Sequence, residues 1–274
     1  MSISEIKALL SGDTVSENVL KELMNDPRKG VQQLVASYIK RMNRESAERL
    51  RVEDMYEPES SFYKKGMTLV AGIDEVGRGP LAGPVTVAAV ILKPHTFFAG
   101  INDSKKVSPK KREELAEEIH KKALAVSIVC LPAEEIDALN IYQATMEAMY
   151  RAVSRLKTAP EAVIVDAMPL HFGIPSLSLV HGDARSASVA AASIVAKVYR
   201  DHLMEEYDKE YPGYGFAQNK GYGTADLSED GNGQGDDEEL YRGIPHLHRG
   251  FHPENRPQSQ APYLWFPDIR CCQG

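Results

Sequence analysis

Two short apolar runs joined by a glycine-rich loop constrain the fold of this chain most. TLVAGID (68–74) and VTVAAVIL (85–92) have the length and composition of buried strands, and GRGPLAG (77–83) lies between them. Strands separated by so short a connection are expected to pair as an antiparallel hairpin or meander. The sequence therefore predicts a sheet that begins with two antiparallel strands.

Downstream of the hairpin, helical and strand patterns alternate. Ser108 followed by Pro109 is typical of an N-cap and first helical turn, and ALAVSIVCL after that helix is typical of a strand. Four further elements are predicted: a helix from about Ala133 to Lys157, a buried strand EAVIVDA that includes Asp166, a strand SLSLV ending near Asp183, and a helix from Ser186 to Tyr211. This order predicts an α/β domain built on a mixed sheet flanked by helices.

The chain is predicted to have three parts. Residues 1–65 form a small helical domain, because residues 29–53 place apolar side chains three and four positions apart. EPESSFYKKG (57–66) has the composition of a linker. Residues 66–224 form the α/β domain. Residues 225–274 are an atypical C-terminal segment, with an acidic, glycine-rich insert followed by a tail.

Charge is distributed unevenly along the chain, whose formal net charge is −7. Seven acids and no base lie between Asp226 and Glu239, so 39 − 7 leaves 32 acids against 32 bases elsewhere. Arg28 to Arg51 holds seven bases and two acids, and Ser104 to Arg112 holds five bases and no acid. Such basic stretches attract phosphate, although a solvated helix face is the more common origin of a charge run.

The sequence does not predict a membrane segment or a disulfide framework. Its longest apolar runs are far shorter than the roughly 20 residues that a bilayer requires, and the N-terminus lacks the pattern of a signal peptide. The three cysteines, Cys130, Cys271 and Cys272, form no C-x-x-C motif and suit a reducing compartment. A cytoplasmic protein is expected.

Acidic side chains follow three of the predicted strands: Asp74 with Glu75, then Asp166, then Asp183. If these carboxylates meet at the strand ends, their repulsion destabilises the fold unless a cation compensates. Oxygen ligands alone favour Mg²⁺ or Mn²⁺ over zinc, and two such ions about 4 Å apart can support phosphodiester hydrolysis. Successive strand residues face opposite sides, so Asp74 and Glu75 share a site only if the strand breaks there. Taken singly, adjacent acids in a turn are more often solvated, and Asp166 could equally cap a helix.

The glycine loop excludes a dinucleotide fingerprint. Gly77, Gly79 and Gly83 give G-x-G-x-x-x-G followed by a strand, whereas the fingerprint needs G-x-G-x-x-G followed by a helix. Glycines leave backbone N–H and C=O groups accessible to a ligand. Beside a phosphodiester site, the natural ligand is the sugar edge, whose 2′-hydroxyl distinguishes RNA from DNA.

Five segments occur in the following order along residues 66–224: GIDEVGRGPLAGPV, NDSKKVSPKKR, VIVDAMPL, HGDARSASVAAASIVAKVYRD and NKGYGT. Together they resemble bacterial ribonuclease HII, the prokaryotic type 2 ribonuclease H. The helical extension, with DPRKGVQQL, is similar to that of the Firmicutes enzymes. The resemblance implies a ribonuclease H-like mixed sheet and cleavage of RNA strands paired with DNA. It also implies incision 5′ of a ribonucleotide in duplex DNA, leaving a 3′-hydroxyl and a 5′-phosphate, by a protein expected to be a monomer.

The resemblance also assigns roles to residues. The family's metal ligands fall on the acids named above: Asp74, Glu75, Asp166 and Asp183. Its sugar-reading triplet and its junction-sensing tyrosine correspond to Gly77, Arg78, Gly79 and Tyr222. Positions expected near the phosphate backbone are Lys105, Lys106, Lys197 and Arg200. For Arg200 a helix-surface charge is an equal explanation, and Asp201 is expected to pair with it or to be solvated.

The sequence departs from the family pattern after Thr224, where the acidic insert precedes GIPHLHRGFHP (243–253). Two rival functions stay open at this point. One is ribonuclease HIII, which shares the chemistry but whose loop usually lacks the glycine–arginine–glycine triplet. The other is a catalytically silent hybrid-binding module. The presence of all four acids argues against it, because a pure binder would gain from losing negative charge near phosphate.

Overall fold

The computed structural model describes residues 1–12 and 15–223, so the predicted C-terminal segment 225–274 lies outside the described residues. The described residues form ten helices: α1 (Ile3–Leu10), α2 (Glu17–Met24), α3 (Lys29–Asp54), α4 (Glu57–Tyr63), α5 (Pro109–Lys122), α6 (Ala133–Leu139), α7 (Ile141–Ser154), α8 (Gly182–Arg185), α9 (Ala187–Glu210) and α10 (Phe216–Asn219). They also form five strands: β1 (Val70–Val76), β2 (Val85–Ile91), β3 (Ala125–Leu131), β4 (Ala162–Asp166) and β5 (Ser176–Leu179). Across residues 1–12 and 15–223, no helix is both long and apolar enough to span a membrane.

The chain divides into two compact units, Met1–Glu53 and the residues from Asp54 onward. The first unit is helical, and α3 covers the predicted stretch 29–53. Val31, Val35 and Tyr38 lie along one side of α3 and are buried in the core of this unit. Their spacing of four and three residues gives α3 one apolar face, as the sequence pattern predicts.

The second unit contains a five-stranded sheet in the order β3-β2-β1-β4-β5. The pairs β1–β2 and β2–β3 are antiparallel, whereas β1–β4 and β4–β5 are parallel. The predicted hairpin and the predicted mixed sheet are therefore both confirmed.

Helices cover both faces of this sheet. Ala71 and Ile73 of β1 pack in the core that contains the buried face of α7, and the alternate residues of β1 face α9. At Gly72 an added Cβ would lie 2.1 Å from the carbonyl carbon of Ser188. Any side chain here would overlap the backbone of α9, so glycine is what permits this close packing.

The segment predicted to be a linker is a helix instead. Residues 57–63 form α4, and Pro58 lies in its first turn, where the missing N–H removes no helical hydrogen bond. Phe62 packs against Val70 and Ala162 in the core of the second unit. Proline and serine made EPESS resemble a linker, although the first turn of a helix accepts the same residues.

Two other element boundaries differ from the predictions. The predicted helix 133–157 is divided at Asn140, whose φ of 63° interrupts α6 and whose side chain caps α7 by accepting bonds from the N–H groups of Tyr142 and Gln143. The strand formed by SLSLV ends at Leu179, and Asp183 lies in the short helix α8. The long helix predicted from Ser186 to Tyr211 is confirmed as α9.

Candidate active site

Two strands and one helical turn bring three carboxylates together. In the parallel pairing of β1 with β4, Ile73 is opposite Val165, so the residues that follow, Asp74 and Asp166, lie side by side. Both alternate with residues of the α7 core and therefore face the α9 side. Asp183 in α8 joins them there, and one oxygen from each of the three carboxylates lies within 4.8 Å of the others.

Hydrogen bonds hold these acids in place. Asp74 is 5% exposed; its Oδ1 accepts a bond of 2.8 Å from the Glu75 N–H, and its carboxylate is also bonded by the side chain of Ser193. Asp166 Oδ1 accepts a bond of 2.7 Å from the N–H of Gly182. This second bond ties the end of β4 to the turn that carries Asp183.

The clustered negative charges of the site favour a bound cation. Burial raises the pKa of the Asp74 carboxyl well above its usual range, and the charges of Glu75 and Asp166 raise it further. Burial also raises the pKa of Asp183. Both shifts show that negative charge is unfavourable here without compensation, which a divalent cation bound by carboxylate oxygens would supply.

Glu75 lies beside the three clustered acids but outside their group. Strand β1 continues without a break to Val76, so the condition for Asp74 and Glu75 to share one face is not met. Glu75 Oε1 accepts a bond of 3.1 Å from Arg78 Nη1, and Glu75 Oε2 is buried without a hydrogen-bond partner. Burial raises the pKa of Glu75, and Arg78 acts in the opposite direction. Glu75 therefore lies at the rim of the site, held by Arg78.

Two residues next to the acids have a left-handed backbone although neither is glycine. Ala167, directly after Asp166, has φ of 48°, and His181, two residues before Asp183, has φ of 56°. Side chains with a Cβ disfavour this region, and such residues concentrate at functional sites. The chain turns sharply on both sides of the carboxylate cluster.

The glycine loop meets the tyrosine that the sequence singled out. Gly77 is buried, whereas Arg78 and Gly79 are exposed. A Cβ on Gly79 would lie 3.7 Å from Cε1 of Tyr222, and Tyr222 is 48% exposed. The exposed end of the loop and the tyrosine ring therefore form one surface.

The four predicted phosphate-binding residues fall into two groups. Lys105 and Lys106 are exposed, and the charge of Lys105 lowers the pKa of Asp183, which places it near the acids. Lys197 is half-buried and forms an ion pair with Asp201. Arg200 has no exposed surface, which differs from both sequence-based explanations, a phosphate contact and a surface charge.

The partner predicted for Arg200 is also different. Asp201 pairs with Lys197 and lies 3.6 Å from Arg112, measured between Oδ2 and Nη2. The guanidinium of Arg200 instead donates to main-chain carbonyls.

Sequence reasoning missed two residues of this site. Asp103 is hydrogen-bonded to Asp183 and adds to the rise in its pKa that burial causes. Ser193 bonds the Asp74 carboxylate, and its Oγ lies 2.9 Å from Ser104 Oγ. The only signal for Asp103 was its place in NDSKK beside the two lysines, and Ser193 is one small residue in an alanine-rich helix.

Comparisons with known proteins agree with these observations. A family model described as Ribonuclease HII matches residues 71–240, and one described as Ribonuclease HII N-terminal domain matches residues 2–63. A protein named Ribonuclease HII from Lactobacillus gasseri is 52% identical, over 84% of this chain and 91% of that protein. Another of the same name from Ligilactobacillus salivarius is 52% identical, over 82% and 88%. The crystal structure of a ribonuclease H2 from Pyrococcus horikoshii superposes with a TM-score of 0.53 at 24% identity, over 66% of this chain and 99% of that one, which shows a shared fold.

Proposed function

The chain belongs to the ribonuclease HII family and is a type 2 ribonuclease H endonuclease, and on that premise we propose that it nicks duplex DNA immediately 5′ of a misincorporated ribonucleotide. We propose that it also cleaves the RNA strand of RNA/DNA hybrids. The observation that carries this proposal is the position of the carboxylate cluster, which lies beside an exposed glycine loop in contact with Tyr222. A centre for phosphodiester hydrolysis and a surface for reading the adjacent sugar are thus contiguous.

The family depends on a divalent cation, and the residues present fit one. Asp74, Asp166 and Asp183 offer only oxygen ligands, within reach of a single ion, and burial makes the charges of Asp74 and Asp183 unfavourable without it. We propose that these three would hold Mg²⁺ or Mn²⁺, with Glu75 at the rim as a fourth carboxylate. When bound, such ions polarise the phosphate and lower the pKa of a water, and two of them can serve both functions.

The hydrolysis itself breaks the bond between phosphorus and the 3′ oxygen of the preceding nucleotide. That oxygen leaves as a 3′-hydroxyl, and the oxygen of water becomes part of the 5′-phosphate on the ribonucleotide. Asp166 and Asp183 are held for this task by the hydrogen bond between β4 and the α8 turn. Fixed ligands lower the reorganisation needed when the transition state forms.

Selection of the ribonucleotide is proposed to rest on the loop and the tyrosine. The backbone groups of Gly77, Arg78 and Gly79 are able to bond a 2′-hydroxyl, since a glycine backbone is not shielded by a side chain. Tyr222 presents an exposed ring on which the next sugar can stack. Lys105 and Lys106, exposed near Asp183, are proposed to bind the phosphates of the cleaved strand.

Because the proposed substrate is chromosomal DNA, the cytoplasm is the proposed place of action. The proposed acting form is a monomer.

A duplex with one internal ribonucleotide tests the proposal directly. The full chain is incubated with this duplex and, separately, with an RNA/DNA hybrid, in Mg²⁺, in Mn²⁺ and in EDTA, and the ends are mapped. The expected result is a cation-dependent nick 5′ of the ribonucleotide that leaves a 3′-hydroxyl and a 5′-phosphate. Cleavage of the hybrid alone would contradict the proposed selectivity, and cleavage in EDTA would contradict the proposed cation.

The cation site is tested separately from activity. Because bound ligand stabilises the folded state, Mg²⁺ or Mn²⁺ should raise the thermal midpoint of the wild type, and the rise should increase with the logarithm of the cation concentration above the Kd. Asp183→Asn should weaken that response, while Glu57→Gln, at an exposed position on α4, should leave it unchanged. An equal response in all three proteins would remove the carboxylate cluster as the binding site.

A further inference from the structure

The most unusual buried group outside the carboxylate cluster is the guanidinium of Arg200. Arg200 lies on α9, has 0% exposure and is the largest fully buried side chain among the described residues. Burial lowers its pKa, and a buried cation destabilises a fold unless its hydrogen bonds are satisfied. All three of its nitrogens are satisfied, and each one donates to a main-chain carbonyl.

These carbonyls belong to two separate segments of the chain. Nε donates to the Pro84 carbonyl at 3.0 Å and Nη2 to the Ala82 carbonyl at 3.0 Å; Ala82 lies in the glycine loop and Pro84 directly follows it. Nη1 donates to the Lys220 carbonyl at 2.8 Å, two residues before Tyr222. Bonds between a charged donor and a neutral acceptor are stronger than neutral ones, so Arg200 fixes the loop and the tyrosine turn to the same helix.

The two segments are also bonded to each other. The N–H groups of Leu81 and Ala82 both donate to the Gly221 carbonyl, at 2.8 and 3.1 Å. A Cβ on Gly221 would lie 2.1 Å from the Ala82 carbonyl oxygen, and one on Gly77 would lie 2.7 Å from Arg200 Nε. The approach of loop, turn and guanidinium therefore depends on glycine at both positions.

We infer that Arg200 is a positioning residue that sets the distance between the sugar-reading loop and Tyr222, and so determines selectivity for a single ribonucleotide. This inference rests on the proposed function. Arg200 acts through other groups, since its side chain is covered and cannot touch the substrate. Selectivity is affected because an isolated ribonucleotide must be read by loop and tyrosine together, whereas a continuous RNA strand offers many equivalent registers.

Arg200→Lys is the first variant, because it retains the positive charge but cannot span three carbonyls. For wild type and variant, kcat/KM is measured on the single-ribonucleotide duplex and on the RNA/DNA hybrid. We expect the value on the single-ribonucleotide duplex, divided by the value on the hybrid, to fall about tenfold or more, because the single ribonucleotide suffers the larger loss. Arg151→Lys on α7, where the arginine pairs with Glu135 and Glu147, is the matched control and should leave the ratio unchanged.

Salt dependence separates positioning from phosphate binding. A lost phosphate contact lowers the slope of log affinity against log salt by about one, whereas a positioning residue leaves it unchanged. We expect Arg200→Lys to retain the wild-type slope. A reduced slope, or equal losses on the two substrates, would overturn the inference.

A double-mutant cycle with Tyr222→Ala tests the coupling itself. If Arg200 acts through Tyr222, the two substitutions together should reduce selectivity no more than Tyr222→Ala alone. Fully additive effects would refute the coupling.

If Arg200→Lys does not fold, Gly221→Ala tests the same geometry, because its Cβ forces the turn away from Ala82. Unchanged selectivity in that variant would overturn the inference. A wild type that does not nick at a single ribonucleotide would instead refute the proposed function.

Discussion

Replacing Glu59, on α4, by alanine should destabilise the unit that carries the candidate active site. The carboxyl is fully buried, and its Oε1 accepts three bonds: 2.6 Å from Ser186 Oγ, 2.9 Å from the Ser188 N–H and 2.6 Å from Ser188 Oγ. Ser186 is the N-cap of α9 and lies three residues after Asp183. Glu59 therefore stabilises the start of the helix that follows the site.

The expected loss of stability follows from the hydrogen bonds that Ser186 and Ser188 lose and from the cavity that the carboxyl leaves. The hydroxyls of Ser186 and Ser188 are 3.2 Å apart and can bond each other, so the Ser188 N–H is the main donor left without a partner. An unsatisfied buried donor costs about 1–3 kcal/mol, and the cavity left by the carboxyl adds about 1 kcal/mol. We expect Glu59→Ala to lower the free energy of unfolding by roughly 2–4 kcal/mol, or the midpoint by roughly 5–15 °C.

Two further variants make the test specific. Glu59→Gln retains an acceptor at Oε1 and should cost less than about 1 kcal/mol, and Glu57→Ala, exposed on the same helix, should cost little. Thermal and urea unfolding by circular dichroism measure stability, and hydrogen exchange at the Ser188 amide measures the local bond. If Glu59→Ala behaves like Glu57→Ala, or if glutamine is as harmful as alanine, the reasoning is wrong.

Three other outcomes are expected. Asp166→Asn retains the acceptor for the Gly182 N–H but removes a negative charge that we propose binds the cation, so activity should fall about a thousandfold without a lower thermal midpoint; full activity would contradict the proposed site. Burial lowers the pKa of His120 from 6.5 to about 4. As the pH falls, the imidazole is therefore protonated in the unfolded state before it is protonated in the folded state. Stability should therefore decline between those values by up to roughly 3 kcal/mol, and His120→Gln should reduce this loss in urea titrations at pH 7 and 4.5; an equal loss would refute it. Gly72→Ala should lower the free energy of unfolding by about 1–3 kcal/mol or more, because its Cβ overlaps the Ser188 backbone, and an unchanged thermal midpoint would contradict that packing.

The sequence was most informative where the hydrophobic periodicity agreed with residues that begin or end helices and strands. The β1–β2 hairpin and the long helix α9 could be predicted because their apolar runs are bounded by glycines, serine and proline. The acids at the strand ends could be predicted because strands of one sheet deliver their ends to a common place. The family resemblance added an expected role for Gly79 and for Tyr222, and the two residues are adjacent in the structure.

What could not be predicted depended on contacts between distant residues. Glu59 bonds Ser186 and Ser188 across more than 120 positions, and no local pattern marks such a pairing. Arg200 was expected near phosphate because the family resemblance places it there, but its acceptors are main-chain carbonyls of two other segments of the chain. The break at Asn140 escaped detection because a single left-handed residue hardly alters helical periodicity.

The left-handed backbone at Ala167 and His181 limits which residues suit these two turns. Glycine at either position would relieve strain of about 1 kcal/mol in the folded chain, yet it would also enlarge the set of conformations open to the unfolded one. Residues with a Cβ restrict the turns on both sides of the cluster to few alternatives. Glycine at either position would therefore lessen backbone strain in the folded chain while making the turns beside the carboxylate cluster less restricted.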